Sequence, residues 1–216
     1  MKKVGFDRSN LLLYAVTDSR WLEDETLYEK VEQALQGGAT FLQLREKKLG
    51  EEAFRREALE IQKLCRRYQV PFVLNDNVEL AREIGADGVH VGQSDMEAGN
   101  VRELLGEDKI IGVTARTVEQ AILAEKRGAD YLGVGAVFAT GTKLDTHEVS
   151  YELLKEICAS VTIPVVAIGG VNLDNIGSLT GSGVAGAAVV SAIFAQKDGE
   201  GAARKLHQAA LEMTRA

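Results

Sequence analysis

One strand–helix–strand unit is contained in residues 70–95, which read VPFVLNDNVELAREIGADGVHVGQSD. The apolar runs Phe72–Leu74 and Val89–Val91 have the length of short buried strands. Each run is followed by polar residues that include a carboxylate, Asp76 after the first and Asp95 after the second. If the runs are neighbouring parallel strands, the two carboxylates lie side by side and suit a hard divalent cation such as Mg2+. Each acid also has a simpler interpretation, Asp76 as the N-cap of the next helix and Asp95 as a loop acid.

The same alternation of strand and helix continues along the whole chain. Leu11–Val16 predicts a first strand, and Leu27, Val31, Ala34 and Leu35 form one face of the helix after it. Four helices are predicted to end at glycines that adopt the left-handed conformation, and these are Gly38, Gly85, Gly128 and Gly183. Counting the strands gives eight, which predicts an α/β fold of the TIM (β/α)8 barrel type as a single domain over residues 1–216. A flavodoxin-like open sheet, which needs fewer strands, is the alternative.

Composition restricts the kind of ligand. The chain has 216 residues and a formal net charge of −7, which argues against a nucleic-acid surface. No apolar run is long enough to span a membrane, and no signal sequence precedes Asp7, so we expect a cytoplasmic protein that binds small molecules and no membrane. Cys65 and Cys158 are interpreted as core residues in a reducing compartment. The sequence leaves open whether the chain forms a homo-oligomer.

Polar residues follow the predicted strands, at the face where TIM barrels carry their sites. Gln43, Arg45 and Lys47 alternate and therefore point the same way, so they can bind a diphosphate, although a solvated charge cluster is the simpler interpretation. His90 lies inside the fourth strand, where we expect a supporting role.

Two further segments are typical of phosphate sites. Thr140, Thr142 and Lys143 end the loop after strand six, which can close over a phosphate or can be an ordinary surface loop. The segments 167–171 and 187–193 end strands seven and eight in small residues that expose backbone N–H groups, as in the frequent phosphate site of this fold.

Several of these motifs, in this order, resemble the thiamine-phosphate synthase family along nearly the whole chain. The most specific are Gln43–Lys47, Leu74–Asp76, Gly88–Gln93 with Asp95, Thr140–Lys143 and Ala167–Val171. The resemblance implies a TIM-barrel transferase that joins hydroxymethylpyrimidine diphosphate to hydroxyethylthiazole phosphate and releases diphosphate, with Mg2+ as cofactor.

The resemblance also implies roles for individual residues. It assigns Mg2+ to Asp76 and Asp95, the pyrimidine to Gln43, and catalysis to Lys143 and Thr114. The implied diphosphate ligands are Arg45, Lys47, Asn75 and Lys143. The implied cradle for the thiazole phosphate is Thr140, Thr142, Gly170 and Ser191, with Val190 near it.

Departures from the family pattern keep other functions open. Thr114 stands where serine is usual, Arg116 where histidine is common, and Ala136 and Ala139 where prolines are usual, which predicts a less rigid loop after strand six. A thiazole tautomerase is one alternative, although Arg116 replaces the histidine that it is expected to use. A noncatalytic protein that keeps the phosphate pocket is the other.

Overall fold

Eight parallel strands close into a barrel in the computed structural model of the chain, which describes residues 6–22, 24–46, 49–92, 98–139 and 149–215. Each strand pairs with the next in the sequence, and the last pairs with the first. The predicted TIM (β/α)8 barrel is therefore confirmed, and the open-sheet alternative is wrong. That residues 1–216 form one domain stays a prediction.

The elements follow in the predicted order. The strands are β1 (Leu13–Val16), β2 (Phe41–Leu44), β3 (Phe72–Asn75), β4 (Gly88–Val91), β5 (Ile110–Ala115), β6 (Tyr131–Val134), β7 (Val165–Ile168) and β8 (Gly186–Val189). The α-helices are α1 (Leu27–Gln36), α2 (Glu51–Tyr68), α3 (Val78–Ile84), α4 (Ala98–Leu105), α5 (Val118–Lys126), α6 (Tyr151–Ser160), α7 (Ser191–Phe194) and α8 (Gly199–Arg215). Short 3-10 helices cover Arg8–Leu11, Ser19–Trp21 and Ile176–Leu179, and the last of these connects β7 to β8.

The glycines predicted to stop helices do so in the left-handed region. Their φ angles are +97° at Gly38, +66° at Gly85, +89° at Gly128 and +91° at Gly183. A side chain is strained at such angles, and glycine is not. Gly38, Gly85 and Gly128 therefore release the chain from α1, α3 and α5 into the next strand, as the sequence predicted. Gly183 differs, because the segment before it holds only the short 3-10 helix Ile176–Leu179.

The strands lie between two apolar layers, one between the strands and the helices and the other inside the barrel. The predicted face of α1 is buried against the outside of the barrel, and each of the other α-helices buries apolar residues in the same cluster. A separate cluster fills the inside, where Tyr14, Phe41 and Tyr131 are fully buried. Phe6 lies against Phe41 and Tyr131, with ring centroids 5.8 and 6.0 Å apart. The barrel is thus a packed core, and its open end is the one at the carboxyl ends of the strands.

Neither cysteine has the character of a reactive thiol. Cys65 is buried and Cys158 is half-buried, and burial raises the pKa of both thiols, that of Cys158 to about 11. Both therefore remain protonated at neutral pH, which agrees with the packing role expected from the sequence. Within the described ranges, the structure has no helix that is both long and apolar enough to cross a membrane. A cytoplasmic location stays a prediction.

Glu57 on α2 is a carboxyl group in an unfavourable place. Its Oε2 atom is buried and has no hydrogen-bond partner among the described residues. Burial raises the pKa of Glu57 to about 7, and the negative charges of Glu46 and Glu60 add to the shift. Because the folded pKa lies above the ordinary value of 4.5, this group favours the folded state fully below pH 4.5 and loses that contribution as the pH rises through 7.

Replacing Glu57 by glutamine should therefore stabilise the protein at pH 8 and not at pH 4.5. We expect a gain of about 1 kcal/mol at pH 8 after allowance for partial solvent screening, or about 2–4 °C in the unfolding temperature. Thermal unfolding of the wild type and Glu57→Gln at both pH values measures it. Glu52→Gln, an exposed carboxylate on the first turn of the same helix, is the control. An equal gain at both pH values would contradict the assignment.

Candidate active site

A cavity opens at the carboxyl ends of the strands and measures about 1050 Å³ including its open mouth. Its wall contains every predicted site residue that the structure describes, namely Gln43, Arg45, Asn75, Asp76, Thr114, Gly170, Val190 and Ser191. The other predicted site residues, Lys47, Asp95, Thr140, Thr142 and Lys143, lie outside the described residues, as does Gln93. The strands thus bring together side chains that are far apart in the sequence.

Arg45 is held at the rim by the segment that follows β1. Its backbone N–H donates to Thr17 Oγ1 at 2.9 Å, and one guanidinium nitrogen lies 3.6 Å from Asp18 Oδ2. Only 15% of the Arg45 side chain is exposed. This geometry fixes the direction of the guanidinium and argues against the interpretation of Arg45 as part of a solvated charge cluster.

Asp18 is the buried anion that orients Arg45. Arg20 donates to both of its carboxylate oxygens, at 2.9 and 2.7 Å, and its backbone N–H adds a third bond at 3.1 Å. Burial alone would raise the pKa of Asp18, but the hydrogen bonds from Arg20 and the charges of Arg20 and Arg45 hold it below its ordinary value. Asp18 therefore remains ionised at neutral pH and keeps its attraction for Arg45.

Asp76 adopts an unusual backbone conformation directly after β3. Its φ angle is +62°, a region that side chains rarely enter, and its backbone N–H donates to the carbonyl of His90 at 2.9 Å. The Asn75 side chain donates to Asp76 Oδ2. The N-cap of α3 is Asn77, whose Oδ1 accepts from the Leu80 N–H at 3.0 Å. The simpler interpretation of Asp76 as a helix cap is therefore wrong, and Asp76 is an exposed residue that lines the cavity.

The side-chain oxygen atoms at the end of β3 fit a hard cation. Asp76 supplies carboxylate oxygens and Asn75 an amide oxygen, which are the ligand types that Mg2+ accepts alongside water and phosphate. The part of the chain that the structure describes contains no group of three or more His, Cys, Asp or Glu residues arranged for a metal. Asp76 thus offers one carboxylate of the predicted pair, and a metal held here would share its remaining positions with a ligand.

The inside of the barrel carries polar groups directly below the cavity. Gln43 Nε2 donates to Tyr14 Oη, and the hydroxyls of Tyr14 and Tyr131 are 2.8 Å apart. Tyr131 Oη is 3.0 Å from His90 Nδ1, and His90 Nε2 is 3.0 Å from Thr114 Oγ1. Sequence reasoning placed His90 in a supporting position but missed both tyrosines. The available signal was a phenolic hydroxyl inside a buried strand, which requires a partner.

The turn after β7 needs its two glycines. Gly169 and Gly170 have φ angles of +97° and +69°, and a Cβ on Gly170 would come within 2.5 Å of the Ala139 carbonyl oxygen. The loop after β6 lies against this turn, because the Phe138 N–H donates to the Gly169 carbonyl at 3.1 Å. Residues up to 139 are thus joined to β7 although prolines are absent. The reduced rigidity predicted for this loop stays a prediction.

Arg116 brings a second guanidinium to the cavity wall, at the end of β5. Its backbone N–H donates to Gln120 Oε1 at 2.8 Å, while its buried Nε has no hydrogen-bond partner within the described part of the chain. On the opposite side, Val190 and the exposed Ser191 follow β8 and complete the wall. The cavity therefore combines cationic groups and backbone amides at its rim with neutral hydrogen-bonding groups at its floor.

Comparison with known proteins agrees with this arrangement. The family model described as thiamine monophosphate synthase matches residues 13–193. The thiamine-phosphate synthase of Ruminiclostridium cellulolyticum is 50% identical over 194 residues, which cover 90% of this chain and 92% of that protein. The thiamine-phosphate synthase of Clostridium acetobutylicum is also 50% identical, over 86% of this chain and 88% of its own length.

A solved structure extends the similarity to the fold. Thiamine phosphate pyrophosphorylase from Pyrococcus furiosus superimposes with a TM-score of 0.88 at 38% identity, covering 95% of this chain and 98% of its own. Both the sequence match and this superposition span the strands and loops that form the cavity. The chain belongs to the thiamine monophosphate synthase family of enzymes.

Proposed function

We propose that the chain joins 4-amino-2-methyl-5-hydroxymethylpyrimidine diphosphate to 4-methyl-5-(2-hydroxyethyl)thiazole phosphate, with Mg2+ as cofactor. The products are thiamine phosphate and diphosphate. The observation that carries the proposal is the set of groups that line one cavity. They are the guanidinium of Arg45, the carboxylate of Asp76 on its strained backbone, the amide of Asn75 and the turn at Gly169 and Gly170. Each of these groups has a counterpart on one of the two substrates.

The reaction requires no nucleophile from the protein. The thiazole nitrogen forms a bond to the exocyclic methylene carbon of the pyrimidine, and the bond from that carbon to the diphosphate oxygen breaks. The electron pair of the broken bond leaves with the diphosphate. The main task of the protein is therefore to hold the two rings in line and to stabilise the negative charge that develops on the leaving group.

The diphosphate is assigned to the rim at β2 and β3. Arg45 can present two parallel N–H donors to phosphate oxygens, and Asp18 keeps it directed along the rim. Asn75 lies beside it in the same wall and can donate from its amide. Lys47 and Lys143 complete the proposed set of diphosphate ligands.

Asp76 and Asp95 are the residues proposed to hold Mg2+. When bound, Mg2+ would supply positive charge next to the leaving diphosphate. Asp76 is suited to this role because its carboxylate faces the cavity and does not cap α3. The backbone strain at Asp76 is of the kind that persists where the surrounding structure enforces a functional position.

The remaining residues are assigned to the two rings and to the thiazole phosphate. Gln43 and Thr114 lie at the floor of the cavity, where the pyrimidine is proposed to bind. Backbone N–H groups near Gly170 and Ser191 are proposed to bind the thiazole phosphate, with Val190 beside it. Thr140 and Thr142 are proposed to close this phosphate site.

Mixing the two substrates with the protein tests the proposed function directly. We expect thiamine phosphate to form with Mg2+ and to be lost when the metal is removed by a chelator and the buffer is metal-free. Chromatographic detection of the product measures it. Binding of both substrates without product would favour a noncatalytic protein, and isomerisation of a thiazole substrate without condensation would favour a tautomerase.

Asp76→Asn should lower kcat/KM by about 100-fold or more, because it removes the charge that holds the metal. Asparagine tolerates the left-handed backbone, so the fold is expected to remain. Glu79→Gln removes one exposed negative charge from the first turn of the following helix and is the matched control. Steady-state rates at saturating Mg2+ measure both. Equal rates for the two variants would contradict the role of Asp76.

Arg45→Gln should lower kcat/KM for the pyrimidine diphosphate by about 10- to 100-fold, the value expected for a charged hydrogen bond. Arg55→Gln is the control, because Arg55 also pairs with a carboxylate, that of Glu83, but is exposed on α2 and does not line the cavity. We expect its kcat/KM to stay within about threefold of the wild type. If Arg55→Gln were the more damaging change, the assignment of Arg45 to the diphosphate would be wrong.

A further inference from the structure

A continuous chain of hydrogen bonds crosses the inside of the barrel beneath the cavity. It runs from Gln43 through Tyr14, Tyr131 and His90 to Thr114. Gln43 and Thr114, at the two ends, line the cavity. Tyr14 and Tyr131 lie deeper and are fully buried. His90 also lines the cavity, so the two tyrosines are the members of the chain that connect points of the cavity wall without lining it.

Counting hydrogens gives this chain a single direction. Gln43 donates to Tyr14, and Tyr131 is the other hydrogen-bond partner of the Tyr14 hydroxyl. The buried hydrogen of Tyr14 is therefore satisfied only if Tyr14 donates to Tyr131. The hydroxyl hydrogen of Tyr131 is then directed to Nδ1 of His90, which must accept. His90 consequently carries its proton on Nε2 and donates to Thr114 Oγ1. Reversing one member alone would place two hydrogens, or two lone pairs, against each other.

Packing and burial keep the two phenols in place as neutral donors. Burial raises the pKa of both Tyr14 and Tyr131 above the ordinary value, so both hydroxyls stay protonated. Phe41 lies against Tyr14, with ring centroids 4.7 Å apart. Gly112 leaves the space that the Tyr131 ring occupies, since a Cβ there would come within 2.1 Å of Tyr131 Cζ. Both rings are thus packed in the core, and their hydroxyls are held by the hydrogen bonds that they make.

This direction determines what a ligand meets at the floor of the cavity. Gln43 uses its amide nitrogen on Tyr14 and has its amide oxygen as acceptor. Thr114 accepts from His90 at the other end of the chain. The acceptor at Gln43 matches the amino group of a flat nitrogen heterocycle, such as an aminopyrimidine.

We propose that Tyr14 and Tyr131 are positioning residues that fix the orientation of the Gln43 amide and the tautomer of His90, and so select the aminopyrimidine ring. The inference rests on the proposed function for the identity of the ring. Phenylalanine at both positions would fill the same space without the cost of burying hydroxyl groups. The hydroxyls therefore have their effect through the hydrogen bonds that they make to Gln43 and His90.

Tyr131→Phe and Tyr14→Phe test the proposal with two measurements. We expect each to raise the KM for the pyrimidine diphosphate about tenfold, while the KM for the thiazole phosphate changes less than about threefold. In the protein without substrate, 15N NMR should show His90 as the Nε2–H tautomer in the wild type and as a mixture in Tyr131→Phe. The chain has three histidines, so the His90 signal can be assigned by its loss in His90→Gln.

Phe41→Leu is the matched control, because it loosens the packing of the same two rings but removes no hydroxyl group. We expect it to lower the unfolding temperature without changing the His90 tautomer or the ratio of the two KM values. The proposal is overturned if Tyr131→Phe keeps the wild-type KM for the pyrimidine diphosphate, if the His90 tautomer is unchanged, or if Phe41→Leu reproduces both effects. If the wild type forms no thiamine phosphate, the proposed function is contradicted. The NMR measurement needs no substrate and therefore still tests the hydrogen-bond chain by itself.

Discussion

Closure of the parallel sheet between β1 and β8 is the constraint on which the rest of the structure depends. Leu13 pairs with Ala187 and Ala15 with Val189, so the last strand returns to the first and leaves no edge. Every second side chain of each strand points to the inside of the barrel, where the side chains of different strands pack together. Tyr14 and Tyr131 lie 117 residues apart in the sequence, and only closure brings their hydroxyls within 2.8 Å. The same closure gathers the carboxyl ends of the strands around one cavity.

The inside of a closed barrel has limited space, and this chain balances large rings against glycines. Gly112 lies next to the Tyr131 ring, and a Cβ on Gly133 would come within 3.0 Å of His90 Cε1. Both glycines are strand residues, where glycine is otherwise unfavourable. Their cost is offset by the bulk and hydrogen bonding of the rings beside them. The polar floor of the cavity therefore depends on residues that carry no side chain.

How much the sequence predicted depends on the range of the interaction involved. Helix ends are local, so glycines such as Gly38 and Gly85 identified the alternation of elements and hence the barrel. The position of a residue after a strand is also local, which is why Arg45 could be placed at the rim. The simpler interpretation of Asp76 placed the cap of α3 one position too early, because Asp76 and Asn77 are both good caps and only the backbone angle separates them.

Pairings across the barrel could not be predicted from the sequence. The bond between Tyr14 and Tyr131, and the hold of Asp18 on Arg45, depend on how strands and loops far apart in the chain are registered. The type of polar group also differs between the floor of the cavity and its rim. A charge at the buried floor would be costly, so recognition there relies on neutral groups and suits an uncharged ring. Anions are better bound at the rim, where Arg45 and backbone amides lie and where the proposed diphosphate would already be at the solvent side of the cavity.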